Sequence, residues 1–153
     1  MADTFSQIYI HLVFSVKGRQ NVIHKTWREE LFKYVSGIIN GRDQKLFAIG
    51  GMPDHIHILI SLRPNCMVSE LVNSVKTNSS KWINSRGFVK GKFFWQEGYG
   101  AFSYGQSQLD LVIQYINYQE QHHQRKTFKE EYIELLQRFN VTFEEKYLFD
   151  WVE

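Results

Sequence analysis

The sequence predicts an α+β fold in which an antiparallel sheet carries helices on one of its faces. Short runs of β-branched and aromatic residues alternate with longer segments whose apolar residues recur at helical spacing. Glycine and proline stand between the runs, where turns are expected. At 153 residues, of which 43% are hydrophobic, the chain is long enough for one well-buried domain, and we expect a single domain over residues 1–153.

The predicted elements begin in the order β-α-β-β-α-β-α, and a last helix follows. Strands are expected in the runs 8–16, 46–49, 54–61 and 93–104, the last interrupted by glycines. Helices are expected over 26–39, 69–83, 107–126 and 129–139. This order is that of a split β-α-β, ferredoxin-like sandwich. We therefore expect the helices to cover one sheet face and to leave the other face open for a ligand.

Composition excludes several classes of protein. The formal net charge is only +2 and the pI about 8.6, so a general polycation that coats duplex DNA is excluded, and any nucleic-acid surface must be local. Cys66 is the single cysteine, which excludes an internal disulfide. The sequence shows neither a signal-peptide pattern nor an apolar run near the roughly eighteen residues that span a membrane, so we expect a soluble, cytoplasmic protein with no membrane partner.

Two histidines bracket one isoleucine in the third predicted strand. Because side chains alternate along a strand, His55 and His57 project from one side, while Ile56 and its neighbours at 58 and 60 project from the other. Such a pair on a rigid strand is well placed to bind a metal ion, although a polar strand face explains the triplet alone equally well. We place both histidines on the open face of the sheet.

A tyrosine and a glutamine stand four residues apart in the third predicted helix. This spacing puts Tyr115 and Gln119 one turn apart on a single stripe with Leu111. Taken alone, Tyr115 is more easily explained as a core residue of an amphipathic helix. Tyr118 serves as a control, because it points about 60° away from the stripe of Gln119.

Basic residues concentrate around two tryptophans and in the turn after the first strand. They suit a groove for single-stranded or hairpin DNA, and about half of them are equally explained as a solvated surface. The candidate nucleic-acid-binding residues are Lys17, Arg19, Lys76, Lys81, Trp82, Arg86, Lys90 and Lys92, with Lys76 and Lys81 expected to be exposed. His122 and His123 are best explained by a helix C-terminus, where they suit the dipole and could meet DNA phosphate.

The chain resembles the single-tyrosine HUH transposases, the small transposases of simple insertion sequences and of related repeat-associated elements. The resemblance covers most of the chain. It rests on Lys17-Gly18-Arg19, Gly50-Gly51-Met52-Pro53-Asp54-His55-Ile56-His57-Ile58, Ser79-Ser80-Lys81-Trp82, Trp95-Gln96-Glu97-Gly98-Tyr99-Gly100-Ala101-Phe102-Ser103, and Tyr115-Ile116-Asn117-Tyr118-Gln119 before His122-His123.

The resemblance implies a homodimer of ferredoxin-like fold that acts on hairpin-marked single-stranded DNA. It implies Mg²⁺ or Mn²⁺ held by His55, His57 and Gln119, and Tyr115 as the nucleophile. A tyrosine hydroxyl has a pKa near 10, so it needs help to attack at neutral pH. Attack would leave a 5′-phosphotyrosine and a free 3′-OH, and another strand's 3′-OH could then rejoin the DNA without ATP.

Two other functions compete with strand transfer. A metal-dependent single-strand nickase or endonuclease would use the same active-site residues and is disfavoured only because the resemblance extends beyond them. An RNA-binding module of the same fold would expose aromatic residues on its central strands, where this chain has histidines.

Overall fold

The computed structural model describes residues 4–123 and 126–140, apart from the side chains of Arg19 and His122. The strands are β1 Tyr9–Ser15, β2 Lys45–Met52, β3 His55–Ser61 and β4 Gly100–Tyr104. They form one antiparallel sheet in the order β2-β3-β1-β4. The helices are α1 Lys25–Gly41, α2 Val68–Arg86, α3 Leu109–Asn117, α4 Gln119–His123 and α5 Phe128–Arg138. This strand order confirms the predicted ferredoxin-like α+β fold.

The first sheet face forms the main core with α1 and α2. Alternation along β1 and β3 points one set of side chains to this face, all of them fully buried: Leu12, Phe14, Ile56, Ile58 and Ile60. Trp95 packs edge-on against Phe14, with ring centroids 4.9 Å apart. Burial on both helices follows their helical periodicity, so the sequence pattern and the packing agree here.

The second sheet face is also covered, so the predicted open face is wrong. α3 packs its buried Val112 and Ile116 against β2 and β3, while α5 packs four buried side chains against β1 and β4. His55 and His57 lie on this face and are fully buried. The physical reason is that α3 and α5 each carry an apolar stripe of their own, and this sheet face is where they can bury it.

The predicted third helix is broken into α3 and α4. Tyr118 leaves helical geometry, with φ −111° and ψ 37°, and the chain resumes at Gln119. Tyr118 points to solvent with 56% of its surface exposed, whereas Gln119 is buried. The predicted difference in direction between these two residues is therefore confirmed, although Leu111 is exposed and does not share the buried position of Gln119.

β2 is longer than predicted and includes two glycines. Gly50 and Gly51 lie within the strand, and the tight turn to β3 falls at Pro53 and Asp54. A Cβ atom on Gly50 would lie 2.1 Å from the carbonyl oxygen of Ile116, so α3 can approach β2 this closely only over a glycine. The other expected strand segment, 93–96, makes a single bridge from Trp95 to Val16.

The described ranges contain no candidate membrane-spanning helix. None of the helices there combines the length and the apolar character needed to cross a bilayer.

Candidate metal centre and active site

The sheet and α4 bring the predicted metal ligands together. His55 and His57 project from β3 on the sheet face that α3 and α5 cover, and Gln119 is the first residue of α4. The Nε2 atom of His55 lies 3.2 Å from Oε1 of Gln119. All three side chains are buried. Their role as metal ligands stays a prediction.

A carboxylate from α5, which the sequence reasoning missed, lies at the centre of this group. Oε1 of Glu131 is 3.1 Å from Nε2 of His57, 3.2 Å from Nε2 of His123 and 3.4 Å from Nε2 of His55. His123 ends α4, as predicted, but its ring also belongs to this cluster, which the sequence did not indicate. Three imidazole nitrogens thus surround one oxygen atom in a buried site.

The electrostatics of the cluster centre on this carboxylate. Burial alone would raise the pKa of Glu131, but the charge of His57 and the hydrogen bonds from three histidines hold it well below its usual range. Burial alone would lower the pKa of His55, but hydrogen bonds to Asp54 and Glu131 raise it to about 9. At neutral pH, the site without metal therefore contains an ionised Glu131 beside a protonated His55.

Tyr115 reaches the same carboxylate from α3. Its hydroxyl donates a short hydrogen bond to Oε2 of Glu131, and its ring stands edge-on to His57 with centroids 5.6 Å apart. Nε2 of Gln119 donates to the Tyr115 carbonyl at 3.3 Å, which joins α4 to α3 across the break. Burial, and then the charge of Glu131, raise the pKa of Tyr115. The phenol is thus held neutral, next to the histidines of its own chain.

Both strand histidines have a partner on their second ring nitrogen. Nδ1 of His55 lies 2.7 Å from a carboxylate oxygen of Asp54, and Nδ1 of His57 lies 2.8 Å from Nε2 of His11 on β1. Metal-binding histidines usually have such a partner, which fixes the ring and leaves Nε2 for the ion. His11 was missed in the sequence, although alternation along β1 places it on the same face as Val13. Burial lowers the pKa of His11 well below its usual value.

The donor set fits a divalent cation. One ligand atom each from His55, His57 and Glu131 lies within 4.8 Å of the others, and all three residues are buried. Two imidazole nitrogens, an amide oxygen and a carboxylate suit Mn²⁺ well and can also hold Mg²⁺. Because both histidines are oriented by neighbours, the site has the supporting contacts that a metal centre needs.

The predicted DNA-contact residues divide into exposed and structural groups. Five of them expose their charged groups: Lys17, Lys81, Arg86, Lys90 and Lys92. Trp82 is half-buried, because it stacks on Tyr34 with centroids 4.7 Å apart. The side chain of Arg19 lies outside the described part of the structure.

Lys76 is half-buried, and the expectation that it is exposed is wrong. Its Nζ donates to the carbonyl of Gln96 at 2.7 Å and to that of Gly98 at 2.6 Å. Burial lowers its pKa to about 8, although the nearby charge of Glu97 opposes the shift. Lys76 therefore fastens the loop 96–98 to α2, a contact between distant segments that no local pattern predicts.

Comparison with known proteins identifies the family to which this chain belongs. Residues 4–119 match the family described as "Transposase IS200 like", so the chain belongs to the IS200-like transposase family. No curated protein matches the chain.

Two solved structures share the fold. A protein from Deinococcus radiodurans R1 described as a candidate transposase is 20% identical, with a TM-score of 0.61, over 76% of this chain and 94% of that one. A REP-associated tyrosine transposase bound to a REP hairpin is 14% identical, with a TM-score of 0.59, over 80% of this chain and 74% of that one. Both support the fold of this chain.

Proposed function

We propose that this protein is a DNA transposase that cleaves and rejoins single-stranded DNA at hairpin-marked ends, using Tyr115 as nucleophile. The observation that carries the proposal is the shared carboxylate. One oxygen of Glu131 accepts a hydrogen bond from the Tyr115 hydroxyl, and the other oxygen contacts both strand histidines. A nucleophile and a metal-ready cluster thus meet within one buried site. Membership of the IS200-like transposase family supports the reaction class.

The metal would be held by His55, His57 and Gln119, with Glu131 able to add a carboxylate oxygen. Mg²⁺ or Mn²⁺ bound there would stabilise the negative charge that develops on the phosphate oxygens. His11 and Asp54 would keep the two imidazoles in the ligating orientation.

The hydrogen bond to Glu131 gives the nucleophile a route for its proton. As the Tyr115 oxygen attacks phosphorus, its hydroxyl proton leaves along the hydrogen bond to Glu131 and passes on to solvent, because the low pKa of that carboxyl prevents it from keeping the proton. The bond from phosphorus to the 3′ oxygen breaks, and that oxygen takes up a proton from solvent to become a free 3′-OH. The product ester retains the phosphodiester linkage, so a second 3′-OH can displace the tyrosine.

The expected partners follow from the same family. A hairpin in single-stranded DNA is the proposed substrate, supported by the structural neighbour that is bound to a REP hairpin. We further propose that residues 1–153 act as one domain, that two copies form a homodimer, and that the protein works in the cytoplasm.

The proposal is tested with hairpin-bearing single-stranded DNA and Mg²⁺ or Mn²⁺, followed by a denaturing gel for a covalent adduct. We expect a metal-dependent adduct, a released strand with a 3′-OH, and rejoined products when a second 3′-OH strand is added. His57→Ala should lose all three products and keep its fold, because its isoleucine neighbours still fill the core. His24→Ala is the matched control, because His24 is exposed before α1, and it should retain activity.

Other outcomes distinguish the competing functions. Cleavage without an adduct would mean that a water molecule attacks and that the protein is a metal-dependent nuclease. An adduct that is never rejoined to a 3′-OH strand would favour a nickase. Full activity in His57→Ala would remove the proposed metal centre.

A further inference from the structure

An exposed phenylalanine is held rigidly at the end of the sheet that carries the metal centre. Phe94 has 48% of its surface exposed, although its neighbours Phe93 and Trp95 are buried in the main core. The extended backbone points these two inward and Phe94 outward. A large apolar side chain so presented is not used by the core of its own chain.

The segment around Phe94 is fixed on both sides. The backbone of Phe93 exchanges two hydrogen bonds with the Asn84 side chain, at 2.7 and 3.1 Å. Nε1 of Trp95 donates to Oγ of Ser79 at 2.9 Å, and both partners are on α2. The carbonyl of Phe94 itself accepts from the backbone of Lys17 at 3.0 Å. The exposed ring therefore belongs to a pre-organised surface.

Positive charge surrounds this ring. The Nζ atoms of Lys17 and Lys92 lie 5.5 and 5.2 Å from its centroid, and Lys90 lines the same cavity. The cavity has a volume of about 390 Å³, and Val16, Val22 and Val89 are among its lining residues. No carboxylate lines it among the residues that the structure describes. Such a site suits a ligand with a flat apolar face and negative charges beside it.

The cavity adjoins the metal centre through β1. Ser15 at the end of β1 pairs with His55, and the next residue, Val16, donates its backbone N–H to the carbonyl of Asp54 at 2.8 Å. Asp54 is also the residue whose carboxylate contacts His55. The cavity and the metal centre therefore meet at the same end of β1, with Val16 and Phe93 in the core on the opposite sheet face from the histidines.

We propose that this cavity binds one unpaired nucleobase of single-stranded DNA, stacked on Phe94, with the flanking phosphates on Lys17 and Lys92. Every base has a π-face, whereas paired and stacked bases inside a duplex do not expose theirs, so the site selects unpaired nucleotides. The two lysines lie close enough to bind phosphates on either side of a stacked base. The site extends the proposed function, on which the choice of DNA as ligand rests.

Equilibrium binding tests the site without cleavage. The full chain is titrated with fluorescent hairpin DNA carrying a single-stranded extension, in EDTA, at several salt concentrations. Phe94→Leu should weaken binding about tenfold, and Phe94→Trp should restore it, because stacking of one base supplies that order of affinity. Lys92→Ala should reduce the slope of log affinity against log salt by about 0.7. The matched controls, Phe5→Leu and Lys45→Ala, change an exposed phenylalanine and a lysine over Phe47, and should bind like the wild type.

Photocrosslinking locates the base. 5-Iododeoxyuridine is placed at one extension position at a time, and crosslinked peptides are sequenced by mass spectrometry. We expect one position to crosslink to Phe94. Crosslinks only elsewhere, or unchanged affinity in Phe94→Leu, would overturn the site, and tighter binding of the equivalent RNA would overturn the assignment to DNA. If the wild type still forms the Tyr115 adduct, the proposed function survives either result; if the wild type binds no single-stranded DNA, the proposed function fails as well.

Discussion

At the scale of single residues, the site depends on polar side chains that are buried and mutually hydrogen-bonded. His55 and His57 could be predicted because alternation along one strand is a local property. Glu131 and His123 could not, because they come from segments more than sixty residues away, and only tertiary packing brings them to the histidines. His11 had a weaker signal: a histidine in an otherwise apolar strand must find partners for its ring nitrogens.

His11 provides the first prediction at this scale. His11→Ala should weaken Mn²⁺ binding by roughly 10- to 100-fold, because His57 loses the partner that fixes its ring. His11→Gln should retain part of the affinity, since its amide oxygen can accept the same hydrogen bond. Calorimetric titration measures the affinity, with His24→Ala as the control. Equal Mn²⁺ affinity in His11→Ala and the wild type would show that His11 does not orient the ligand.

The raised pKa of His55 predicts a pH dependence of stability without metal. A histidine with a pKa of about 6.5 when unfolded and about 9 when folded stabilises the fold below pH 6.5, and this contribution is lost as the pH rises through 9. Asp54→Asn removes the negative charge of the hydrogen-bond partner that does most to raise this pKa. In EDTA, urea unfolding should therefore show the wild type more stable than Asp54→Asn at pH 6.5, with the difference shrinking towards pH 9.5. A difference that grows over this range would contradict the protonated His55.

At the scale of elements, the order of the elements predicted the ferredoxin-like sheet and helices on one of its faces, but not the helices that cover the second face. The apolar stripes of α3 and α5 were visible in sequence, whereas the surface they cover was not. The break at Tyr118 was also missed, because no proline or glycine marks it and tertiary contacts of Gln119 set the direction of α4. α5 lies beyond residues 4–119, the part matched by the family, and yet it provides Glu131.

The close approach of α3 to β2 gives a prediction about stability. Gly50→Ala places a Cβ atom 2.1 Å from the backbone oxygen of Ile116, so α3 must move away from the sheet. We expect a loss of about 1–3 kcal/mol in the free energy of unfolding, measured with urea. Gly37→Ala is the control, because its Cβ would meet nothing within 4 Å on α1, and it should stabilise by about 0.5–1 kcal/mol. Two variants of equal stability would contradict the packing of α3.

At the scale of the whole molecule, a modest net charge and a clustered basic surface predict selective DNA binding. The formal charge is +2, while Lys17, Lys90 and Lys92 gather around one cavity. Hairpin and single-stranded DNA should bind more tightly than blunt duplex of the same length. The slope of log affinity against log salt should be about −0.7 for each phosphate contacted in the single strand. Fluorescence anisotropy provides both quantities, and an equal preference for blunt duplex would count against the assignment.

The most direct measurement identifies the residue that becomes attached to DNA. The covalent adduct is formed with hairpin DNA and Mn²⁺, trimmed with nuclease and mapped by mass spectrometry. We predict a nucleotide on Tyr115, no adduct with Tyr115→Phe, and a nearly normal adduct with Tyr118→Phe, because Tyr118 points to solvent. An adduct on Tyr118 that persists in Tyr115→Phe would show that the tyrosine beside Glu131 and the histidines is not the nucleophile.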